Sequence, residues 1–491
     1  MPMPAQSASR DEVLADLSTF RDSDAPTTGG RVLAYVYDAG WPELEDVATA
    51  ALSAFSGVNG LDPTVFPSVA RIENDLVGWG LDLLGGPPEA VGVVTSGGTE
   101  SCMLAVKTAR ENWRAAAAPD AGRPVMIAPI TVHSAFVKAA KYFDVEARLL
   151  PVGTDSFTVD PADVAAALDD VGERACLVVV SAPSYAHGVI DPVVAVADIA
   201  APRGVPVHVD ACIGGWVLPF MAQLGFDLPP FDLSVPGVRS LSVDLHKYAY
   251  APKGASLLLF SDATYRLGAF FTYSGWPGYP VVNTTMQSTK SAGPMAAAWA
   301  TIRTIGADGY RDLVLATRQA TEQIVDAVAQ IPGLRVLGTP AASLIALAAE
   351  GPESADPFVL ADRMHARGWF IQPQPAVHGM PRTAHLTVQA TTLANIAEFL
   401  DALRESAAEA CALPPAAPAP ELLAAAESLD PTTLDLATIA QLLVFAGLDA
   451  TKGPSLPDES ADVQALLEAL PVGLRDRLLA GFFSEIFQPN R

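Results

Sequence analysis

The hydrophobic and polar positions divide the chain into a helical N-terminal part and a central part of alternating short elements. Apolar side chains recur at three- and four-residue steps over residues 41–56 and again over residues 68–84, which predicts two amphipathic helices. Turn-forming residues fill the segment between them, residues 59–67. Residues 1–30 are mostly polar, and we expect them to form a loose arm.

Between residues 91 and 260, seven short runs of apolar residues predict strands. These predicted strands span residues 91–94, 124–129, 147–152, 176–181, 206–210, 240–244 and 255–260. Several are apolar on both faces, which is typical of a buried, mostly parallel sheet covered by helices. Helical patterns over residues 98–113, 133–143 and 161–169 separate them. The alternation predicts an α/β fold.

The rest of the chain predicts a smaller unit and a helical end. Residues 295–330 have the pattern of a long connecting helix, residues 334–410 that of an α+β unit, and residues 413–421 form a linker rich in proline and alanine. Amphipathic helices are expected after the linker. We therefore divide the chain into an N-terminal arm with helices (1–85), a large domain (86–310), a small C-terminal domain (311–412), the linker (413–421) and a helical extension (422–491).

Composition excludes several classes of protein. Of the 491 residues, 50% are hydrophobic, so the chain has enough apolar material for a large core and is not globally disordered. The formal charge of −25 repels phosphate backbones and anionic lipids, so we expect no nucleic-acid partner. The 4 cysteines form no CxxC pair and are expected to be reduced thiols. Neither a signal peptide nor a membrane-spanning segment is apparent, and we expect a cytoplasmic protein.

Lys247 is the first candidate for chemistry. It follows a predicted strand within DLHKYAYAPKG, residues 244–254, and a lysine in such a core-like segment is rare unless it is paired or chemically used. Desolvation would lower its pKa and make the amine a nucleophile that forms a Schiff base with an aldehyde. Taken alone, however, a lysine at such a place is more often an exposed loop residue.

Three further segments place polar groups at strand ends. Asp210 ends an apolar strand, where its carboxylate either pairs with a protonated pyridine nitrogen or caps the next turn. Gly97, Gly98 and Thr99 lie where a strand runs into a helix, and free backbone N–H groups there bind anions. His133 opens a helix, either as a cap or as a ring that stacks on a cofactor. With the lysine, these groups are the parts of a pyridoxal 5′-phosphate site.

The segments VTSGGTES, SAPSYAHGVIDP, HVDACIGGW and SVDLHKYAYAPKG resemble those of pyridoxal-phosphate-dependent group II decarboxylases, and most of all the sphingosine-1-phosphate lyase branch. The similarity runs from about residue 30 to residue 410. It implies the aminotransferase-like transferase fold type I, with a mostly parallel seven-stranded sheet in the large domain and a small α+β C-terminal domain. It also implies that the N-terminal segment helps to close the site, and that the protein is a homodimer with active sites at the subunit interface.

The resemblance implies roles for individual residues. Lys247 would carry the coenzyme, Asp210 would contact its ring nitrogen, and His133 would stack on its ring. His246 would lie beside the coenzyme phosphate together with the glycine turn, and Thr289 would donate to that phosphate.

Another set of implied roles concerns the substrate. Lys253, in the PKG element, and Tyr185, in the SYAHG element, would handle protons, and Tyr37 would line the substrate pocket.

Two segments depart from the lyase branch. Residues 59–62 read Asn-Gly-Leu-Asp where the branch has Asn-Pro-Leu-His, and residues 288–293 replace a Gly-Ser-Arg-Pro-Gly-Gly element, with Lys290 in place of the arginine. We place Asn59 and Asp62 among the substrate-binding residues. The anionic Asp62 should repel a substrate phosphate, which counts against a phosphosphingoid substrate.

The resemblance implies a carbon–carbon lyase that cleaves the Cα–Cβ bond of an amino alcohol or β-hydroxy amine by retro-aldol chemistry through an external aldimine. An amino-acid decarboxylase would use the same machinery on the Cα–carboxylate bond. Lys253 favours the lyase, which we prefer, while Asp62 would suit a neutral or cationic side chain and favours the decarboxylase. A non-catalytic scaffold is a remote third reading, because both Lys247 and Asp210 are present.

Overall fold

The computed structural model of the chain describes residues 3–351, 354–427, 429, 435, 438–439 and 459–489. Its helices are α1 (Arg10–Phe20), α2 (Pro42–Phe55), α3 (Pro67–Leu83), α4 (Gly98–Ala116), α5 (Ser134–Tyr142), α6 (Pro161–Val171), α7 (Val193–Ala200), α8 (Leu218–Gln223), α9 (Ala263–Arg266), α10 (Gly293–Val328), α11 (Pro357–Ala366), α12 (Ala390–Ala394), α13 (Ile396–Ala412), α14 (Pro420–Glu427), α15 (Ala461–Ala469) and α16 (Val472–Ile486). Its strands are β1 (Val91–Thr95), β2 (Val125–Pro129), β3 (Glu146–Leu150), β4 (Ala175–Ser181), β5 (Val207–Asp210), β6 (Val238–Val243), β7 (Ser256–Phe260), β8 (Phe271–Tyr273), β9 (Val281–Asn283), β10 (Leu334–Val336), β11 (Leu344–Ala349), β12 (Gln372–Gln374) and β13 (Thr383–Thr387).

The large sheet has seven strands in the order β1-β7-β6-β5-β4-β2-β3. Neighbours from β3 to β6 pair in parallel, and β7 is antiparallel to both β6 and β1. Every residue of β2, β4 and β7 is buried, as the apolar runs indicated. All seven predicted strands are confirmed, with ends that differ by one or two residues, and so is the α/β class.

The predicted helices of the large unit are also confirmed. α2 and α3 pack with α10, and α3 also packs on β1 and β7 of the sheet. The long connecting helix α10 turns sharply at Gly306, whose φ of 64° is a conformation that glycine adopts without strain. The expectation of a loose arm over residues 1–30 is wrong in one respect. Residues Arg10–Phe20 form a helix with a capping box between Ser9 and Glu12, although none of its side chains is buried.

The smaller unit is an antiparallel sheet in the order β10-β11-β13-β12, and α11 and α13 pack on it around a second hydrophobic core. The N-terminal segment joins this sheet, because the N–H of Leu33 donates to Phe370 at 2.9 Å and its carbonyl accepts from Thr387 at 2.7 Å. The N-terminal segment is thereby fixed beside the strands that follow Phe370. The domain boundaries given above stay a prediction.

The C-terminal helices dock on the smaller unit through an ionic cluster. Arg382 donates to Asp356 at 2.8 Å and to Glu468 of α15, and its guanidinium lies 4.5 Å from the ring centroid of Phe358. Asp362 caps α15 by accepting from Ala461 N–H at 2.9 Å. Most of the predicted extension between residues 428 and 458 lies outside the described residues. In the part that is described, no helix combines the length and the apolar character that a membrane span requires.

Replacement of Arg382 by alanine should release the C-terminal helices. Because it leaves the largely buried Asp356 and Glu468 without their partner, we expect the free energy of unfolding to fall by about 2–3 kcal/mol. Arg404→Ala, which breaks an exposed pair with Asp401, should cost about 0.5 kcal/mol or less. Urea denaturation measures both values, and limited proteolysis should detect faster cleavage after residue 412 in Arg382→Ala alone. Equal stability of the two variants would contradict the docking role of Arg382.

Candidate active site

The carboxyl ends of the parallel strands form one edge of the large sheet, and a cavity of about 400 Å³ opens there. Because β4 ends at Ser181 and β5 at Asp210, both side chains reach this edge. The cavity collects most of the residues that the sequence indicated: Gly97, Gly98, Thr99, His133, Tyr185, Asp210, His246 and Lys247.

The glycine turn forms an anion-binding cradle at the start of α4. No side chain caps this helix, and the first intrahelical bond is donated by Ser101 to the carbonyl of Gly97, so the N–H groups of Gly98 and Thr99 are not used by the helix. A Cβ at residue 98 would lie 2.6 Å from Oδ2 of Asp244, so only glycine fits there. The cradle suits a phosphate group.

His133 lines the cavity and also caps α5. Its Nδ1 accepts from the N–H of Ala135 at 3.2 Å, which leaves the proton of a neutral ring on Nε2 and fixes the orientation of the imidazole. His133 can therefore cap α5 and also present its ring to a cofactor, so the two alternatives given for this residue are compatible.

Asp210 is buried at the end of β5, with 8% of its surface exposed. Its Oδ1 accepts from the N–H of Cys212 at 3.1 Å and from the hydroxyl of Ser242 at 3.3 Å. Within the described residues no lysine or arginine pairs with this carboxylate, so a protonated ring nitrogen in the cavity would supply the missing positive charge. The donor set of the cavity therefore fits pyridoxal 5′-phosphate.

Lys247 lies in the turn after β6 and pairs with a carboxylate that sequence reasoning did not single out. Its Nζ is 2.8 Å from Oδ2 of Asp244, which is 2% exposed and also accepts from Ser256 Oγ at 2.6 Å. Desolvation is the largest single influence and lowers the pKa of Lys247, but the charge of Asp244, its hydrogen bond to the amine, and the nearby Tyr37 and Cys212 together outweigh desolvation and raise that pKa well above its ordinary value. The expectation of a depressed pKa for Lys247 is therefore wrong.

Tyr185 is held by residues from two other segments. Its hydroxyl donates to Gln372 Oε1 at 2.6 Å, and Gln372 Nε2 donates to the hydroxyl of Tyr35 at 2.6 Å. The ring of Tyr185 stacks on His385 with centroids 4.2 Å apart. Burial raises the pKa of Tyr185, so its hydroxyl stays protonated at neutral pH.

Lys253 and Tyr37 line a second cavity of about 810 Å³, which meets the first at His246. The Nζ of Lys253 lies 5.0 Å from the ring centroid of Tyr37 and donates to the carbonyl of Tyr35 at 3.2 Å. Desolvation and the nearby Lys247 ammonium lower the pKa of Lys253, while burial raises the pKa of Tyr37 to about 12. Lys253 is thus the more readily deprotonated of the two lysines.

The structure does not bring Asn59, Asp62 or Thr289 to either cavity of this chain. Asn59 accepts from the N–H of Leu61, and Asp62 is exposed and accepts from the N–H and hydroxyl of Thr64, which lowers the pKa of Asp62. Thr289 is exposed. Their roles stay predictions. The two departures from the lyase branch are in contact, because the N–H of Gly60 donates to the carbonyl of Lys290 at 2.7 Å.

Sequence reasoning missed three residues of the site: Asp244, Ser242 and Gln372. Asp244 carried a signal, since it lies three residues before Lys247 in the same segment. Ser242 alternates with apolar residues in a buried strand, which is also a readable sign. Gln372 carried none, because 187 residues separate it from Tyr185.

Comparison with family models agrees with this geometry. The model described as pyridoxal-dependent decarboxylase conserved domain matches residues 36–347. A second model, described as the C-terminal putative HTH domain of pyridoxal-dependent enzymes, matches residues 420–485.

Curated proteins similar to this chain include two sphingosine-1-phosphate lyases. That of Dictyostelium discoideum is 31% identical over 405 residues, which cover 82% of this chain and 74% of that protein. That of Oryza sativa subsp. japonica is 35% identical over 402 residues, which cover 80% of this chain and 72% of that protein. A probable L-aspartate decarboxylase of Pyrococcus furiosus is 27% identical over 371 residues, or 76% of this chain and 95% of that protein.

Solved structures support the same fold. The sphingosine-1-phosphate lyase of Burkholderia pseudomallei superposes with a TM-score of 0.78 at 32% identity, over 84% of this chain and 93% of that one. The glutamate decarboxylase of Lactobacillus brevis superposes with a TM-score of 0.72 at 20% identity, over 84% of this chain and 96% of that one. At this identity the likeness shows the fold alone. The aminotransferase-like fold type I expected from the sequence is thereby confirmed.

Replacement of Asp244 by asparagine tests the pairing of Lys247. Only a neutral amine attacks the coenzyme aldehyde, and loss of the carboxylate charge should lower the pKa of Lys247. We therefore expect covalent capture of pyridoxal 5′-phosphate to occur at a pH about one unit lower than in the wild type. Borohydride fixation followed by mass spectrometry of the Lys247 peptide measures the profile.

Ser256→Ala is the control for Asp244→Asn. It removes a hydrogen bond to Asp244 but leaves the carboxylate charge in place, so the capture profile should move only slightly. An unchanged profile in Asp244→Asn would show that the carboxylate does not hold the amine protonated.

Proposed function

Since the chain belongs to the pyridoxal-dependent decarboxylase family and uses pyridoxal 5′-phosphate, we propose that this lyase cleaves the Cα–Cβ bond of a phosphorylated β-hydroxy amine of the sphingoid type. The observation that carries the proposal is the lining of the two cavities. No arginine lines either one among the described residues, whereas the proton-handling candidates Tyr185 and Lys253 line one each. A bidentate guanidinium is the usual partner for a substrate carboxylate, and an amino alcohol has no carboxylate to bind. The substrate phosphate is proposed from the likeness to the sphingosine-1-phosphate lyases and not from this lining, because a guanidinium is equally the usual partner of a phosphate.

The residues that would hold the coenzyme lie around one cavity. The amine of Lys247 would bond its aldehyde carbon, the N–H groups of Gly98 and Thr99 would bind its phosphate, and His133 would cover one face of its ring. Asp210 would keep the ring nitrogen protonated. The bound coenzyme supplies an electron sink for the bond that breaks.

Two residues of this chain would move or hold the substrate proton. In a retro-aldol cleavage the β-hydroxyl gives its proton to a base, the Cα–Cβ bond breaks, Cα takes up one proton, and an aldehyde and an amine leave. Lys253 suits the role of base because its pKa is lowered, and Tyr185 suits that of a fixed hydrogen-bonding partner because its raised pKa keeps its proton.

Amino-acid decarboxylation is the second candidate function, favoured by the similarity to the probable L-aspartate decarboxylase. The argument from Asp62 gives it little support, since Asp62 lies in an exposed turn outside both cavities. Since Asp62 lines neither cavity, its position in this chain also gives no support to repulsion of a substrate phosphate there.

A homodimer is part of the proposal. The hairpin of β8 and β9 carries exposed large apolar side chains that lack a cover among the described residues: Phe271, Tyr273, Trp276, Tyr279 and Val282. A patch of this kind is typical of a surface that another chain covers, and a second copy of this chain is the partner that the family resemblance implies. In such a dimer, Asn59, Asp62 and Thr289 of one copy would line the active site of the other copy.

The cytoplasmic location and the absence of a nucleic-acid partner stay proposals as well. All four cysteines are free thiols, which suits a reducing compartment. The described C-terminal residues 459–489 carry Glu459, Asp462, Glu468, Asp476 and Glu485 against Arg475 and Arg477. That excess of acid disfavours contact with phosphate backbones, although the matching family model is described as a putative HTH domain.

A substrate panel tests the function. We expect holoenzyme incubated with sphingosine 1-phosphate to release a long-chain aldehyde, and incubation with L-aspartate, L-glutamate or L-tryptophan to release no carbon dioxide above the level of Lys247→Ala. Aldehyde trapping and carbon dioxide release are measured separately. Carbon dioxide from an amino acid without aldehyde from the phosphorylated amine would establish the decarboxylase instead.

Gln372→Leu tests the placement of Tyr185. The change removes the hydrogen bond that the Tyr185 hydroxyl donates to Gln372 and the bond that Gln372 donates to Tyr35, and we expect kcat to fall about tenfold or more while coenzyme absorbance is unchanged. Gln374→Leu, in the same strand, is the matched control, because Gln374 bonds Thr383 rather than a residue of the cavity. Equal kcat values for the two variants would contradict a role of Gln372.

A further inference from the structure

A group of polar side chains lies inside the large sheet beneath Asp210. His208 and Asp210 alternate with valines along β5 and so share one face of the sheet, and Ser240 and Ser242 occupy the opposing positions of β6. His208, Ser240 and Ser242 are each 0% exposed. Polar groups at such depth destabilise a fold unless each one is hydrogen bonded.

The four side chains form one chain of hydrogen bonds. Ser240 Oγ lies 2.8 Å from His208 Nδ1, His208 Nε2 lies 3.3 Å from Ser242 Oγ, and Ser242 Oγ lies 3.3 Å from Asp210 Oδ1. Phe136 packs on the imidazole with ring centroids 5.5 Å apart. The imidazole is therefore confined between an aromatic ring and two hydroxyls.

The chemistry of the groups fixes the direction of each bond. An ionised carboxylate only accepts, so the single proton of Ser242 points to Asp210 and its oxygen must accept from His208 Nε2–H. Burial lowers the pKa of His208 to about 4, so the ring is neutral and carries one proton. Nδ1 then accepts from the hydroxyl of Ser240. All three hydrogen bonds therefore donate in the same direction, from Ser240 through His208 and Ser242 to Asp210.

We propose that His208 is a positioning residue, which acts through Ser242 to hold Asp210 as an oriented anion against the ring nitrogen of the coenzyme. A hydroxyl that is itself polarised by a donor gives a stronger bond to a carboxylate than one that is free to rotate. The bond stabilises the charged form of Asp210, and the charged form keeps the ring nitrogen protonated. The inference rests on coenzyme binding at Asp210 and holds whichever substrate bond is cleaved.

The test measures the protonation of the coenzyme ring nitrogen and not the rate of turnover. Holoenzymes of the wild type, His208→Leu and Ser242→Ala are prepared with coenzyme labelled with ¹⁵N in the ring, and the ¹⁵N chemical shift and the coenzyme dissociation constant are measured. In both variants we expect the shift to move toward that of an unprotonated ring and the dissociation constant to rise about tenfold. His208→Gln, which keeps a donor toward Ser242, should restore both values toward those of the wild type.

We call the hydrogen-bonded row Ser240, His208, Ser242 and Asp210 the relay. Two control variants separate an effect of the relay from a general loss of buried polar groups. His187 is another buried histidine with a lowered pKa, but it stacks on Phe157 and does not line the cavity. Ser406 is a fully buried serine of α13 in the smaller unit. His187→Leu and Ser406→Ala should keep the wild-type ¹⁵N shift.

Three results would decide against the relay or against the function separately. A wild-type shift and affinity in Ser242→Ala would overturn the relay, even if His208→Leu failed to fold. So would an equal change in His187→Leu. A wild-type protein that binds coenzyme normally but cleaves no phosphorylated amine would refute the proposed function and leave the relay standing.

Discussion

The ion pair between Lys247 and Asp244 is the interaction on which the site depends. An ammonium and a carboxylate 2.8 Å apart lie at the end of the large sheet, where neither would remain charged alone. The pair fixes the turn after β6, and Asp244 at the same time closes the space beside Gly98. One carboxylate thereby connects the lysine, the helix N-terminus of α4 and, through Ser256, the neighbouring strand β7. If Lys247 holds the coenzyme as proposed, binding would replace this ion pair by a covalent bond.

Three parts of the chain meet at Tyr185, and they come from distant stretches of sequence. Tyr185 belongs to the large unit, Gln372 to the small sheet and Tyr35 to the N-terminal segment, which is itself bonded to Phe370 and Thr387. The position of one phenolic hydroxyl therefore depends on how the small unit sits against the large one. In contrast, the cradle, Asp210 and Lys247 all lie at the ends of strands of the large sheet, in the turns and the helix start that follow those strands.

The sequence predicted the parts of the molecule that local pattern determines. The strands β1 to β7 were found because buried strands are continuous apolar runs, and Asp210, His133 and Gly98 because they stand at the ends of such runs. β12 was missed because Gln-Pro-Gln has no apolar pattern and becomes a strand only by pairing with β13. The raised pKa of Lys247 was missed because it depends on a turn that brings Asp244 back onto the amine. Gln372 reaches Tyr185 only through tertiary packing, which one sequence does not display.

The contact between Gly60 and Lys290 has a consequence for how this chain relates to the lyase branch. A Cβ at residue 60 would lie 2.9 Å from Cγ of Lys290, so the proline that the branch carries there would collide with the lysine as it is placed. A proline at residue 60 would also remove the N–H that donates to the carbonyl of Lys290, so this chain could not carry the branch's residue there unless the two segments moved apart.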